Sequence, residues 1–533
     1  MRFARFYSGL RILYERIEIV EETKMKRMRS RALSLMLAMT LAFGFMVAMP
    51  QMAYAADIYL TIDVTEGGVA VQKTIVNPAH NESDIGWMWS HPAALGEPYI
   101  LTLYDNYPGG HIGITAAGGD GPFRIIYEGD VSVSSSGEST IGLQSLEPLE
   151  IVAATPDSVL TLTASGITTP DNGVITTSGA LFISGGTVNI TNSDDEIAMY
   201  AVGIEIEDGA DVTVNGTILS DNNNLAIMGA NAKVNGNLVF DSFLISDGAK
   251  VEIIGNIDSV GEIQIYDAEV KITGNIDISS GIMVLDSSLS LMGNLDAERG
   301  GIAVACLNAN ADVFVDGNIS VANSGVDTAM GLFVGEGFEI PSSYSTTVVV
   351  TGTISVVCSD PDGSGAGIIA GQQAKVTVEG SVLVEGFESF GVLSAAGAEV
   401  LIGGNVIVTG ANGIGALAGN PYNSPASFIT VDGTITAEYY VGLGSADAFS
   451  LWAVLTAADN KPTSTLAGYK EYTDGINFVW VKDTSTNPGD KPGTGTPATG
   501  DTTGLAALAI ILALAALGTI GIALSRRKRL HTT

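Results

Sequence analysis

The sequence of 533 residues predicts an all-β fold whose central part is a right-handed parallel β-helix. Its clearest sign is a repeat, because IIGNID at 253–258 returns as ITGNID at 272–277, nineteen residues later. Within each repeat, apolar and polar residues alternate in short bursts that stop at Gly, Asn or Asp, which is typical of strands and corners. The spacing of the repeats varies, as expected for regular coils that carry loops of different lengths.

One glycine in each repeat follows the alternating run and is expected to turn the chain at a corner of the coil. The series runs through Gly186, Gly216, Gly236, Gly255, Gly274, Gly293, Gly317, Gly352, Gly380, Gly404 and Gly433, with a weaker copy at Gly129. Successive members of the main series are 19 to 35 residues apart. Ten intervals at about 4.8 Å per coil predict a rod about 50 Å long.

Two other solenoids share part of this pattern. A leucine-rich repeat has a similar period, but its Leu-Asn frame and helical segment are missing here. A left-handed β-helix advances in rigid six-residue steps, whereas the spacing here drifts. A constant coil with variable loops favours the right-handed form.

The alternation also predicts which side chains face the interior of the rod. Ile265 is expected inside and Gln264 outside, because neighbouring residues of a strand point to opposite faces. The same rule places further apolar residues inside, namely Val251, Ile253, Ile257, Ile263, Val270 and Ile272. Branched Val and Ile side chains stack well on a pleated surface.

An asparagine follows the glycine in consecutive repeats. The set is Asn237, Asn256, Asn275, Asn294 and Asn318. Because these residues share one phase of the coil, we expect an internal ladder of amide hydrogen bonds that satisfies polar groups at the corner. The alternative is a row of asparagines that reads a ligand.

The chain divides into six parts. The predicted parts are 1–55 as a signal peptide with an extended N-terminus, 56–120 as an N-terminal β cap, 121–440 as the β-helix repeats, 441–483 as a C-terminal cap, 484–500 as a Pro/Gly/Thr linker, and 501–533 as a transmembrane helix with a basic tail. Trp87 and Trp89 precede the repeats, and Trp452 and Trp480 follow them. We interpret both flanks as caps that protect the end coils, although tryptophans can also line a sugar site.

The N-terminal part has the features of a secretory signal. A basic start, MKRMRSR, begins at Met25 and leads into an apolar run that ends before Ala53-Tyr54-Ala55. Small residues at this spacing predict cleavage after Ala55, with Met25 or Met28 as the true start. A membrane helix is the alternative, but Gly44 and Pro50 interrupt the run.

The C-terminal part carries TPATGD at 496–501, an apolar stretch at 504–524 and the basic residues RRKR at 526–529. A helix over the apolar stretch would be about 31 Å long, enough to cross a bilayer. The basic tail is expected to stay inside the cell, which places the preceding chain outside.

This order of motif, span and basic tail resembles the cell-wall sorting signal of Gram-positive surface proteins, with its Leu-Pro-x-Thr-Gly motif. Pro497, Thr499 and Gly500 match, whereas Thr496 stands where Leu is usual, so the sortase class stays open. The resemblance implies that a sortase cleaves between Thr499 and Gly500 and joins the chain to peptidoglycan. The protein would then be exported to the cell wall, and a membrane tail is the alternative.

The region between the two end signals is strongly acidic. After the five acidic and thirteen basic residues of the ends are removed, 56–500 keeps 53 acidic and 11 basic residues, a net charge of −42. Such a surface makes nucleic acid or an anionic membrane face an unfavourable partner. Cys306 and Cys358 fall in different coil phases, so we expect two buried thiols and no disulfide.

The repeats offer little for catalysis. From Gly186 to Gly433 there is no histidine, and the only basic residues are Lys233, Lys250, Lys271, Arg299 and Lys375, at scattered phases. His80, His91 and His111 precede the repeats without a metal-binding spacing. We therefore predict no enzyme, with a polysaccharide lyase or glycoside hydrolase as the least favoured reading.

Two acidic features are candidate sites for calcium, the only cofactor that the sequence suggests. Asp247, Asp267 and Asp286 each lie seven or eight residues before a glycine of the series and should stack along one edge. Asp360 and Asp362 in SDPDGSG resemble the start of a calcium loop. In both cases the alternative is a corner or turn in which Asp bonds to backbone amides.

The flanking segments carry a second resemblance. Trp87-Met88-Trp89, ILTL at 100–103 and GYKEYTDGINFVWVKD at 468–483 look like predicted β-helical surface proteins of Gram-positive bacteria, with a pectate-lyase-like solenoid. The implied function is a non-catalytic wall protein that displays the rod for adhesion or surface interaction. The second hypothesis is a carbohydrate-binding β-helix that recruits acidic polysaccharide through calcium. The partners would be sortase, peptidoglycan, the membrane before sorting, and a surface ligand such as a polysaccharide.

Overall fold

The fold is described from a computed structural model of the chain. It describes residues 58–484 except 67–68, 77–81, 91–96, 117–121, 138, 145–146, 168–171, 195, 221–223, 307–308, 326–327, 336–343, 372–373, 420–424 and 445–452. In these residues all regular structure is β, in 49 strands. The strands form three long sheets, and each coil crosses them in the same order.

The first strand of each coil belongs to sheet 1. In order of pairing its strands are β3 (Glu82–Asp84), β4 (Trp87–Ser90), β5 (Tyr99–Tyr104), β7 (Phe123–Glu128), β10 (Leu149–Ala153), β13 (Ala180–Ser184), β16 (Gly203–Glu207), β19 (Asn224–Met228), β22 (Ser242–Ser246), β25 (Glu262–Tyr266), β28 (Gly281–Leu285), β31 (Gly300–Ala305), β34 (Ala329–Val334), β37 (Gly365–Ala370), β40 (Phe390–Ala395), β43 (Ile414–Gly419), β46 (Tyr439–Gly444) and β47 (Ala453–Leu455). From β5 to β46 every neighbouring pair is parallel.

Sheet 2 follows sheet 1 in each coil. Its strands are β8 (Asp130–Ser136), β11 (Val159–Ser165), β14 (Thr187–Asn192), β17 (Asp211–Asn215), β20 (Asn231–Asn235), β23 (Lys250–Ile254), β26 (Glu269–Thr273), β29 (Ser288–Met292), β32 (Ala311–Asp316), β35 (Thr346–Val350), β38 (Lys375–Val378), β41 (Glu399–Ile402), β44 (Phe428–Val431), β49 (Phe478–Lys482) and β48 (Tyr469–Thr473). Only the last pair, β49 with β48, is antiparallel.

Sheet 3 closes each coil. Its strands are β2 (Val69–Val76), β1 (Ile58–Glu66), β6 (Ile112–Ala116), β9 (Ile141–Gln144), β12 (Ile175–Thr177), β15 (Ile197–Ala201), β18 (Thr217–Ser220), β21 (Leu238–Phe240), β24 (Ile257–Ser259), β27 (Ile276–Ile278), β30 (Leu295–Ala297), β33 (Ile319–Asn323), β36 (Ile354–Cys358), β39 (Val382–Glu385), β42 (Val406–Thr409) and β45 (Ile435–Thr436). Three parallel stacks joined coil by coil make a parallel β-helix, as predicted. Fifteen parallel strands in sheet 1 correspond to a rod about 67 Å long at about 4.8 Å per coil.

The interior of the rod is filled by the inward residues of all three sheets. The predicted inward residues Val251, Ile253, Ile257, Ile263, Ile265, Val270 and Ile272 are all buried. Ile265 is fully buried, and Gln264 beside it points outward. The period-2 alternation therefore predicted the face of each residue correctly in the middle coils.

The glycine series occupies the corner between sheets 2 and 3 from Gly216 to Gly433. Glycine is required there because the backbones of neighbouring coils approach closely. A Cβ on Gly274 would lie 2.1 Å from the carbonyl oxygen of Gly255 in the preceding coil. The prediction that Gly129 and Gly186 occupy this corner is wrong. They lie between sheets 1 and 2, just before β8 and β14. Both corners require a tight turn, so a glycine in the sequence does not reveal which corner it occupies.

Antiparallel strands flank the parallel coils at both ends. β1 pairs with β2, and β4 pairs with β3 and β5. β46 pairs with β47, and β49 pairs with β48. Trp87 and Trp89 are buried beneath the first parallel coil. Parallel pairing already begins at β5, within the segment predicted as the N-terminal cap.

The predicted end signals lie outside the described residues. They are the signal peptide with its cleavage after Ala55, the 484–500 linker beyond Thr484, the sorting motif and the C-terminal apolar stretch. Trp452 lies outside them as well. In the part of the chain that the structure describes, no helix has the length and apolar character needed to cross a membrane.

Candidate functional site

The aspartates proposed for calcium lie at the corner between sheets 1 and 2. The register pairs Ile245 with Ile265 and Tyr266 with Leu285, which places Asp247, Asp267 and Asp286 at one position of consecutive coils. The backbone φ angles of the three aspartates are 60°, 48° and 51°. Asp tolerates this left-handed conformation better than most residues, so the turn itself explains the aspartates.

Local contacts support that explanation. The Asp247 carboxylate accepts a hydrogen bond from the Ser246 hydroxyl at 2.9 Å, and Asp286 accepts one from the Ala309 N–H at 3.1 Å. In the SDPDGSG turn, Asp360 accepts the N–H of Asp362 at 2.9 Å.

None of these aspartates forms a recognisable cation site. Among the described residues, no three His, Cys, Asp or Glu side chains are arranged to hold a metal ion. A calcium row therefore remains a prediction, without a ligand set in its support. If calcium binds there, the melting temperature of the protein should rise in calcium chloride but not in sodium chloride of equal ionic strength.

Sequence reasoning missed a second acidic column, on the outer face of sheet 3. Asp258, Asp277 and Asp296 pair with one another in register, and all three are exposed. The signal was visible in the repeated GNID and GNLD, where an Asp always stands two residues after the Asn. These carboxylates extend the acidic surface and face solvent.

The asparagine ladder exists, but it is not internal. The side-chain oxygens of Asn237, Asn256 and Asn275 each accept the backbone N–H of the next asparagine, at 2.9 Å. The chain of bonds continues through Asn294 and Asn318 to the N–H of Thr353. Most of these residues are exposed, because the corner turns the side chain outward, where its oxygen reaches the following coil. The ladder thus joins coils along the surface of the rod.

Two basic residues of the repeats, Lys233 and Lys271, form ion pairs with glutamates on the outer face of sheet 2. Lys233 lies 2.8 Å from Glu252 of the next coil, and Lys271 lies 2.6 Å from Glu269 in the same strand. The hydrogen bond and charge of Lys271 lower the pKa of Glu269, and the same contact raises the pKa of Lys271. Both pairs are solvent-exposed, so they contribute little to stability.

The predicted thiols and the one described histidine have structural contacts. Cys306 and Cys358 are buried and unbonded to each other, which confirms the expectation. The Thr346 hydroxyl donates to the Cys306 sulfur, and the Cys358 thiol donates to the carbonyl of Ser364. Burial raises the pKa of the Cys358 thiol. The imidazole of His111 contacts the carbonyl of Ser139, whereas His80 and His91 are not among the described residues.

The C-terminal end of sheet 2 presents three aromatic rings on its outer face. Phe428 on β44 lies in register with Phe478 on β49, and Trp480 follows Phe478 by two residues. The ring centroids are 5.3 to 5.9 Å apart, and the planes lie within 16° of one another. We name Phe428, Phe478 and Trp480 the aromatic face. All three rings are partly exposed.

A buried carboxylate holds the tryptophan. Glu471 on β48 pairs with Trp480 and accepts the indole N–H at 3.2 Å. The same carboxylate accepts the backbone N–H of Thr465 at 2.6 Å and bonds to its hydroxyl. Burial alone would raise the pKa of Glu471, but the hydrogen bonds from Thr465 and Trp480 outweigh it and leave the pKa lowered. The carboxylate is therefore ionised near neutral pH.

Polar groups border the aromatic face. The Tyr469 hydroxyl donates to Asp432, and the ammonium of Lys482 lies 4.4 Å above the Tyr469 ring. Burial, with the carboxylate of Asp432, raises the pKa of Tyr469 to about 12. Sequence reasoning placed Trp480 in a cap and did not single out Phe428, which lies 52 residues before Trp480 in the chain.

The family resemblances proposed from motifs receive no independent support. Comparison with known protein families, with curated proteins and with solved structures finds no match to this chain. Function must therefore be argued from the rod, its surface and the end signals.

Proposed function

We propose that this chain is a non-catalytic surface protein of a Gram-positive bacterium, joined to peptidoglycan by a sortase, whose β-helix is displayed outside the cell. The observation that carries the proposal is the order of TPATGD, apolar stretch and basic tail directly after a rod and a Pro/Gly/Thr linker. A rod about 67 Å long on a Pro/Gly/Thr linker would hold its outer end away from the wall.

The absence of catalysis is part of this proposal. Lys233 and Lys271 in the middle coils each form an ion pair with a neighbouring glutamate on the exposed face of a sheet. A lyase or hydrolase would need a base and an acid converging on one substrate position. We also propose the right-handed sense of the helix, because parallel crossovers are right-handed in nearly all known sheets.

The anchoring proposal is tested by Thr499→Ala in the native host. The variant should be recovered with the membrane fraction, whereas the wild type should be released only when peptidoglycan is digested. Thr502→Ala, outside the motif, serves as the matched control and should stay in the wall. Equal wall attachment of the Thr499 variant and the wild type would refute sorting at this site.

A further inference from the structure

We propose that the aromatic face is the ligand site of the rod and binds a neutral polysaccharide that lies along the rod axis. The inference rests on the proposed display function and names the ligand class for it. Its observations are the three near-parallel rings, the fixed orientation of Trp480, and a column of outward residues that continues from it.

The geometry of the rings suits a sugar. Phe428 and Trp480 lie within 4° of parallel at 5.9 Å, and Phe478 lies 5.3 Å from Trp480. Near-parallel rings at these centroid distances are stacked with an offset, and all three are partly exposed. A pyranose ring offers a flat set of C–H bonds that packs against such a face. The partly exposed aromatic surface is therefore complementary to the C–H face of a sugar ring.

The tryptophan is held before any ligand arrives. Its indole N–H donates to Glu471 at 3.2 Å and to the Thr465 hydroxyl at 3.3 Å. Glu471 is itself buried, at 4% exposure, and takes two further hydrogen bonds from Thr465. A ring that is fixed in the free protein loses little conformational entropy on binding. A tryptophan needed only for packing would not require a buried carboxylate on its polar atom, since an exposed indole N–H can bond to water.

The middle outward column of sheet 2 extends this face along the rod. The register joins Trp480 to Thr430 and Leu401 in successive coils, and all three are partly exposed. Two coil steps at about 4.8 Å give an exposed track about 10 Å long. The next two residues of the column, Thr377 and Val349, are buried, at 6% and 9% exposure. Sugar units of a β-linked glycan repeat at a length close to the coil spacing, so a chain could place successive units on successive coils.

Hydrogen-bonding groups stand beside the track. Asp432 and Lys482 occupy the neighbouring outward positions, two residues after Thr430 and Trp480. A carboxylate and an ammonium group at the edge of an aromatic platform can bond to sugar hydroxyls.

The negative charge of the molecule disfavours anionic polysaccharides relative to neutral ones. The exported region carries a net charge of −42, which repels an anionic glycan. Among the described residues no carboxylate cluster is arranged to bridge such a glycan through a cation. A neutral glycan avoids both difficulties.

Binding is tested by titration calorimetry on the purified full chain. The ligands are cellohexaose, laminarihexaose and chitohexaose, with hexagalacturonate as the anionic arm. We expect at least one neutral hexasaccharide to bind, and Trp480→Ala to weaken it at least tenfold. Val260→Ala, at a 67% exposed corner between sheets 3 and 1, is the control and should bind as the wild type does.

A second variant separates binding from folding, because Trp480→Ala removes a ring that also packs. Thr430→Glu leaves every ring in place but sets a charge between Phe428 and Trp480, so binding should fall at least tenfold at an unchanged melting temperature. No binding of any neutral hexasaccharide, binding of hexagalacturonate alone, or equal binding by both variants and the wild type would overturn the proposal. None of these outcomes bears on anchoring, which Thr499→Ala tests separately.

Discussion

The coils at 250–297 and those at 365–419 follow the same path but use their outer faces differently. In the first set, the strands of sheet 1 have five residues, and inward apolar residues alternate with outward ones, as in β25. In the second set, the sheet 1 strands β37, β40 and β43 have six residues, and every residue is buried. Sheet 1 is therefore buried on both faces in the second set, whereas its outer face stays partly exposed in the first.

A column of inward glycines runs through the C-terminal coils of sheet 1. A Cβ on Gly367 would lie 2.3 Å from a methyl group of Val382, and one on Gly391 would lie 2.4 Å from a methyl group of Val406. Gly415 stands in the same relation to Ile435, at 2.2 Å. Each glycine therefore makes room for a branched side chain of sheet 3, which brings the two sheets close together.

The outward residues change along with the interior. One outward column of sheet 1 runs in register from Gln264 through Met283, Ala303 and Phe333 to Ile369, Leu393 and Leu417. The last three belong to a second apolar cluster, separate from the core of the rod, and they are buried. One strand position can therefore be a solvated surface in one coil and a packed interior in another. Period alone does not distinguish these cases.

The largest effect should come from charging the true interior of a middle coil. Ile265→Asp places an unpaired carboxylate among fully buried residues and should destabilise the fold by about 3–5 kcal/mol. The measurement is urea unfolding of the variant and the wild type. An unfolding free energy within 1 kcal/mol of wild type, as a rough limit, would mean that Ile265 does not face the core.

The next effect separates the two regions at one column. Leu393→Asp should cost about 2–4 kcal/mol, because Leu393 is only 5% exposed and packs in the second cluster. Gln264→Asp, in the same column, should cost about 1 kcal/mol or less, mainly through the lost bond with the Tyr266 hydroxyl. Equal melting temperatures for the two variants would remove the distinction between the regions.

A smaller effect tests the glycine column. Gly391→Ala forces a methyl group against Val406 and the carbonyl of Gly415, and should cost about 1–3 kcal/mol. Gly142→Ala in β9 is the control, because its Cβ would meet nothing closer than 3.7 Å. The control should be neutral or stabilising by a few tenths of a kcal/mol, roughly, through the unfolded chain. If Gly391→Ala unfolds at the same urea concentration as the control, the close packing is wrong.

The smallest effect concerns the surface ladder of the middle coils. Asn275→Ala removes the acceptor of the Asn294 N–H and should cost about 0.5–1.5 kcal/mol. Asp277→Ala, two residues later and exposed, should be neutral, because it removes only one charge from a column of like charges. Amide exchange at Asn294 should accelerate in the first variant only, and unchanged protection there would contradict the ladder.

Much of the fold could be predicted because the alternation of apolar and polar residues within each repeat is a local signal. The alternation around Ile265 settled which side chains face inward, and branched residues in short bursts excluded helices. The candidate site was harder. The Asp247, Asp267 and Asp286 row was placed correctly along one edge, yet its meaning depended on a backbone φ that the residue type alone does not determine.

By itself the sequence determined the strands, the corners and the stacking period, since those depend on neighbours within a few residues. Only the tertiary structure decided that Gly186 turns a different corner from Gly216 and that the asparagine ladder faces outward. Only it brought Phe428 against Trp480, with Glu471 holding the indole. The physical reason is register: side chains meet across coils whose separation in the chain varies with loop length, and packing between coils selects which residues pair.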